Sequence, residues 1–233
     1  MSGLLRWLTG APARPRFTWP VVLEQTGLDR RGLCRGVDTV RLRPLRATDQ
    51  DAWRRLRVAE AERLAAWDAT FPPESGEAGM SFGTYARDLR RQARAGTAMP
   101  FVIEVDGAFA GQLSVEPIAW GALRSAALGY WIGARWQGRG VMTLCVAMTL
   151  DHLLGAEVGL HRVEVSIRPE NAASLAVVRK LGLREEGLRL RYMHVAGSWA
   201  DHRAFAATAE ERGPGYVQLL VDRAAGASGN TQR

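Results

Sequence analysis

A chain of 233 residues, 47% apolar and 24% charged, is long enough to bury one large core and has the composition of a soluble globular protein. The net charge of +7 rests on arginine, Lys180 being the only lysine, and favours anionic partners; no basic-aromatic module supports direct nucleic-acid binding. No apolar run reaches a membrane span, since Val141 to Leu150 stops at Asp151, and Cys34 and Cys145 have neither CxxC nor metal spacing. Two lone thiols of a reducing, cytoplasmic compartment and no metal are therefore expected.

Residues 1–16 read as a loosely ordered arm, with Leu4 to Leu8 too short and interrupted for a signal-peptide core. Phe17 to Leu23 suits a short edge strand, where Pro20 is tolerable, and Leu28 to Gly36 is loop-like. This sets residues 1–36 apart as an extension. Val37 to Leu45 alternates, with Val40, Leu42 and Pro44 set against Arg41 and Arg43, and predicts a first core strand. Thr48 then caps a helix with acids in its first turn, and Trp53, Leu56, Leu64 and Trp67 recur near helical spacing toward the core. Phe71-Pro72-Pro73 breaks it. A second helix over about Ser81 to Ala95 carries Phe82, Tyr85 and Leu89 on one side, and Pro100 to Glu116 reads as a hairpin about Asp106-Gly107.

Ala126 to Gly133 reads as a buried strand, Arg135-Trp136-Gln137-Gly138-Arg139-Gly140-Val141 as a tight turn, and Val141 to Leu154 as a helix. Strand, glycine turn and helix together set free backbone N–H groups at a positive helix N-terminus, where phosphate oxygens bind. Gly138 and Gly140 let an anion approach the main chain, and Arg135 and Arg139 add charged donors. A strand over His161 to Ile167 follows, then Asn171-Ala172-Ala173-Ser174 opens a helix that Gly182 ends. Two strands about Ala196-Gly197-Ser198 complete a domain over 37–212. A short amphipathic piece from Tyr216 to Arg223 and a polar tail fill 213–233. Strands alternating with helices before a terminal hairpin indicate an α/β fold with a mixed sheet.

The turn lacks the Gly-Lys-Ser/Thr of a Walker loop and the third glycine of the dinucleotide fingerprint. It fits Arg/Gln-x-x-Gly-x-Gly/Ala, and Asn171-x-x-Ser174 follows about 30 residues on, with Glu186-Gly187 and the hairpin behind it. With both motifs in this order the chain resembles the GNAT superfamily of acyl-CoA-dependent N-acetyltransferases. Val40 to Leu45, Gly129 to Ile132, Asn171 to Ser174 and Trp199-x-Asp201-His202 are similar to the branch that acetylates N-terminal alanine or serine of ribosomal proteins. The likeness covers roughly 38–210.

The resemblance implies a twisted, mostly antiparallel sheet splayed open between the central strand and the strand at His161, with acetyl-CoA in the splay. It implies that the main chain of Trp131, Ile132 and Gly133 pairs with pantetheine, and that the N–H groups of Gln137, Gly138, Arg139, Gly140 and Val141 hold the pyrophosphate. Asn171 is then expected to bond pantetheine, a role compatible with capping its helix. Arg179 and Lys180 lie toward the nucleotide or simply face solvent. The helix pair at 48–95 becomes one wall of the acceptor groove, although Trp67 and Phe71 are equally well read as core.

Acetyl transfer needs a neutral amine, a donor for the oxyanion and a proton for the departing thiolate. A backbone N–H near Ile132 suits the second task, and the resemblance gives the third to Ser174. The base departs from the pattern: relatives carry glutamate at the places of Ala127 or Met193. Glu116, Tyr192, His194 and His202 remain as candidates, with Glu116 and Tyr192 foremost. An α-amine of pKa roughly 8, against about 10.4 for lysine, costs about 3 kcal/mol less to neutralise, which suits a peptide N-terminus. A ribosomal protein N-terminus, a small amine of aminoglycoside or polyamine type, and a non-catalytic acyl-CoA-binding module all stay open, as does oligomeric state.

Overall fold

The computed structural model describes residues 17–76 and 80–229; the arm expected over 1–16 lies outside the described residues. Its strands are β1 (Leu23–Gln25), β2 (Val40–Pro44), β3 (Met99–Val105), β4 (Ala108–Ala119), β5 (Ser125–Ile132), β6 (Arg162–Ile167), β7 (Arg184–Val195) and β8 (Ser198–Thr208). Its helices are α1 (Gln50–Ala59), α2 (Ala61–Ala65), α3 (Phe82–Ala95), α4 (Val141–Leu154), α5 (Ala172–Leu181) and α6 (Tyr216–Gly229). One sheet takes all eight strands in the order β1-β2-β3-β4-β5-β6-β8-β7. Every neighbouring pair is antiparallel except β5 with β6.

That parallel ladder positions the site. It runs from Ser125 opposite Arg162 to Leu128 opposite Val165 and stops there. Gly129 to Ile132 therefore have β4 along one edge and no strand along the other. The expected splay is present.

Local chemistry sets the element boundaries. Asp106 (φ 48°) and Gly107 (φ 79°) form the left-handed pair that a two-residue hairpin turn needs, and the Asp106 carboxylate accepts from the N–H groups of Asp38 and Thr39. Ser81 Oγ accepts the Thr84 N–H to start α3. Helix α4 is buried on nearly every face, from Val141 and Leu144 to Leu150 and Leu153, and is the centre of the core.

Four expectations change. The edge strand is Leu23–Gln25 rather than Phe17 to Leu23, because Phe17 is buried and the Trp19 ring packs on Phe101 at 5.6 Å. Leu28, Cys34 and Val37 join the same core, so the loop before β2 is packed rather than free. Thr48 is not a helix cap: Ala47–Asp49 form a 3-10 turn in which the Asp49 carboxylate accepts the Arg46 N–H at 2.7 Å. Asp49 also takes both terminal nitrogens of Arg43, at 2.8 and 2.9 Å, while Arg43 Nε reaches Glu104 at 2.6 Å. Alternation alone sets Arg43 outward; two carboxylates make its burial tolerable.

Candidate active site

A cavity of about 580 Å³ opens where β5 leaves β6. One side is main chain. Helix α4 has no side-chain cap, and among the described residues the N–H groups of Gly138, Arg139, Gly140, Val141, Met142 and Thr143 have no hydrogen-bonding partner. Of these residues, all but Arg139 line the cavity. A row of unsatisfied donors at the positive end of a 14-residue helix fits a diphosphate. The Gln137 N–H departs from the expected set, since it donates to Ala134 O at 3.1 Å, although the residue still lines the cavity.

The two glycines of the turn do different work. Gly138 (φ +68°) has nothing within 4 Å of where a Cβ would stand, so its face is open to a ligand. Gly140 (φ +91°) would bring a Cβ to 2.4 Å from the Leu33 carbonyl oxygen. Its role is to let the loop before β2 close against the back of the turn, where Arg35 N–H also donates to Arg139 O at 3.0 Å. Arg139 turns to that loop too, its Nη1 donating to Arg35 O at 3.5 Å while its Nε donates to Arg135 O within the turn. Arg135 packs over the Trp136 ring at 4.7 Å. Neither arginine lines the cavity.

The far side of the turn is met by α5. Asn171 Oδ1 accepts the Ser174 N–H at 3.0 Å, capping the helix while the residue lines the cavity. Ser174 and Lys180 line it as well; Arg179, whose Nε donates to Leu175 O, does not. Behind Ser174 stands Tyr130, which sequence reasoning left without a role. Its hydroxyl is buried and lacks a hydrogen-bonding partner among the described residues. Burial pushes this phenol well above its ordinary range, with the neighbouring Ser174 hydroxyl pulling the other way. An orphaned hydroxyl beside Ser174 fits a site that a polar ligand completes. Strand alternation was the available signal, since Tyr130 must face away from Trp131.

On the splayed edge, Trp131 and Ile132 line the cavity but Gly133 does not; its N–H is spent on Ala110 O at 2.9 Å. Arg63 Nη2 donates to Ile132 O at 2.6 Å, fixing the strand end.

The other side of the cavity is built from side chains. Gln112, Ser114 and Glu116 line it from β4, Tyr85 and Leu89 from α3, Trp67 and Asp68 from the segment after α2. Trp67 is half-buried with the Arg168 guanidinium at 5.7 Å, whereas Phe71 is exposed, so neither is plain core.

The four base candidates separate. Glu116 lines the cavity, is exposed, and has no ion-pair partner among the described residues. Tyr192 lies outside the cavity wall, its ring against His202 at 5.7 Å and under the Arg189 guanidinium at 4.9 Å. His194 is buried with Nδ1 2.8 Å from Thr70 Oγ1, pinning the 68–70 segment to β7. His202 is buried with Nδ1 3.0 Å from Ala200 O. Opposite Ala127 stands Glu164, held by Arg162 and Arg189. Those arginines outweigh burial and keep its carboxyl below the usual value, which makes it a poor base.

The acetyltransferase (GNAT) domain matches residues 39–184. A solved structure titled Mycobacterium smegmatis RimJ in complex with CoA-disulfide is 38% identical, covers 90% of this chain and 97% of its own, and superposes with a TM-score of 0.79. Among curated proteins, the probable N-acetyltransferase YjcK of Bacillus subtilis is 34% identical over 101 residues, 43% of this chain and 55% of that protein. The [ribosomal protein uS5]-alanine N-acetyltransferase of Escherichia coli is 29% identical over 105 residues, 45% and 54% respectively. The chain thus spans about half the length of these curated relatives.

Proposed function

The chain belongs to the GNAT acetyltransferase family, and on that premise we propose that it moves an acetyl group from acetyl-CoA to the α-amine at the N-terminus of a protein, in the first instance a ribosomal one. The observation that carries this reading is the row of free amides at the turn and the start of α4, set beside the open edge of Gly129 to Ile132. A diphosphate on those amides directs pantetheine along the open edge and its thioester toward Ser174. The ribosomal acceptor is supported by the likeness to the Mycobacterium smegmatis and Escherichia coli proteins.

In this reading acetyl-CoA supplies the activated acetyl group and the chain supplies placement and proton management. Glu116, an unpaired carboxylate in the wall, takes the amine proton directly or through a water. A main-chain N–H on the open edge near Ile132 donates to the oxyanion. The Ser174 hydroxyl, backed by Tyr130, delivers a proton to the departing thiolate. Incubation of the purified protein with acetyl-CoA and peptides beginning with Ala or Ser tests it. Thiol release with acetylation of the peptide α-amine is expected; no release with any amine overturns the reading.

A further inference from the structure

From the polarity of one hydrogen-bond chain we infer that Tyr85 is the specificity-determining residue of the acceptor groove, presenting its O–H as a fixed donor to a carbonyl next to the reacting amine. The inference rests on the acetyl-transfer reading and narrows its acceptor to amines that carry such a carbonyl, as every peptide N-terminus does.

The chain begins at Trp53 on α1. An indole N–H can only donate, so the atom 2.8 Å from Trp53 Nε1 must be the Gln112 carbonyl oxygen. That orients the amide uniquely and turns Gln112 Nε2 to the Tyr85 hydroxyl oxygen, 3.2 Å away. An amide N–H₂ only donates, so the Tyr85 oxygen accepts. Its own proton must therefore point elsewhere, and Tyr85 makes no other hydrogen bond among the described residues. The rings hold this arrangement: Trp53, Phe82 and Tyr85 pack in mutual contact with centroids 5.4 to 6.5 Å apart.

Tyr85, Gln112 and Glu116 line the same cavity. Burial above all, with the nearby Glu116 charge adding to it and Gln112 and Arg57 opposing, raises the phenol above its ordinary value, so it stays a donor at neutral pH. The groove thus offers a carboxylate acceptor and a phenol donor side by side. A peptide N-terminus matches them with its amine N–H and its first carbonyl. An amine lacking that carbonyl leaves the donor unmatched.

Two substitutions and two acceptors test this, with acetyl-CoA affinity measured alongside as the check on folding. Tyr85→Phe is expected to lower kcat/KM for an Ala-initiated peptide about tenfold, chiefly through KM, and to lower the slower rate with 2-aminobutane by no more than about twofold. Trp53→Phe frees the Gln112 amide to turn and is expected to give the same selective loss, but smaller. Equal losses with both acceptors, or none with the peptide, overturn the inference while leaving acetyl transfer intact. Absence of thiol release from the wild-type protein with every amine instead overturns the reading beneath it.

Discussion

The two sides of the cavity are made of different material. The side toward α4 is main chain: its donors are amides of consecutive residues, and its shape depends on two glycines. The side toward α1 and α3 is lined by the side chains of Tyr85, Gln112 and Glu116, and side-chain hydrogen bonds tie Gln112 to Tyr85 and to Trp53 behind it. A main-chain site tolerates changes of side chain but no added Cβ. A side-chain site tolerates backbone adjustment but not loss of one polar partner.

Substitutions on each side sharpen that contrast. Gly140→Ala adds a Cβ that meets the Leu33 carbonyl at a left-handed φ and is expected to cost about 3 kcal/mol in urea unfolding. Gly138→Ala, strained only by φ, is expected to cost about 1 kcal/mol while weakening acetyl-CoA binding. Equal costs contradict the separate roles assigned to the pair.

Outside the cavity lining, where α1 begins, Asp49→Asn removes the charge that compensates Arg43, and about 2 kcal/mol is expected, since Glu104 still pairs with Arg43. The pH dependence follows the same residue. Burial opposes ionisation of Asp49, but bonds from Arg43 and the Arg46 N–H outweigh it and hold the carboxyl below its ordinary value. A depressed acid contributes fully above its unfolded pKa, and that stability is lost as pH falls through the folded one. Wild-type stability should thus fall below about pH 4 more steeply than that of Asp49→Asn, as measured by denaturation at successive pH values. Parallel curves contradict the pairing.

Where the two sides meet, Ser174→Ala is expected to lower kcat about tenfold without changing acetyl-CoA affinity, because Asn171 still caps α5 through the main-chain N–H. The smallest effect belongs to Cys34 and Cys145, both buried beneath the turn. Burial first, then the Asp106 charge, raises the Cys34 thiol to about 12, and burial raises Cys145 as well. Neither should react with iodoacetamide at pH 8 until the protein unfolds; prompt modification of the native protein contradicts that packing.

The same contrast explains what the sequence made legible. Glycine spacing, the helix start at Val141 and the Asn171 cap are local, so strand, turn and helix are legible in order, whereas the splay is implied only by the family resemblance. The second task of Gly140, closing against Leu33, has no local mark, because Leu33 is over 100 residues away in the chain. The 3-10 turn that consumes the Gln137 amide has no sequence mark. Tyr192 is one of the base candidates the sequence leaves, yet it packs against His202 and Arg189 outside the wall. The Trp53-Gln112-Tyr85 chain has no local pattern either, since its bonds join residues 59 and 27 positions apart. Gln112, a polar residue within an apolar strand, was its only local trace.

Titration calorimetry with acetyl-CoA and with S-acetylpantetheine, which has the same thioester arm and no phosphates, tests the main-chain site most directly. Anchoring by the amides of Gly138 to Thr143 predicts that acetyl-CoA binds at least about 100-fold more tightly, the worth of one or two charge-assisted hydrogen bonds. Equal affinity for the two, or no heat with acetyl-CoA, contradicts it.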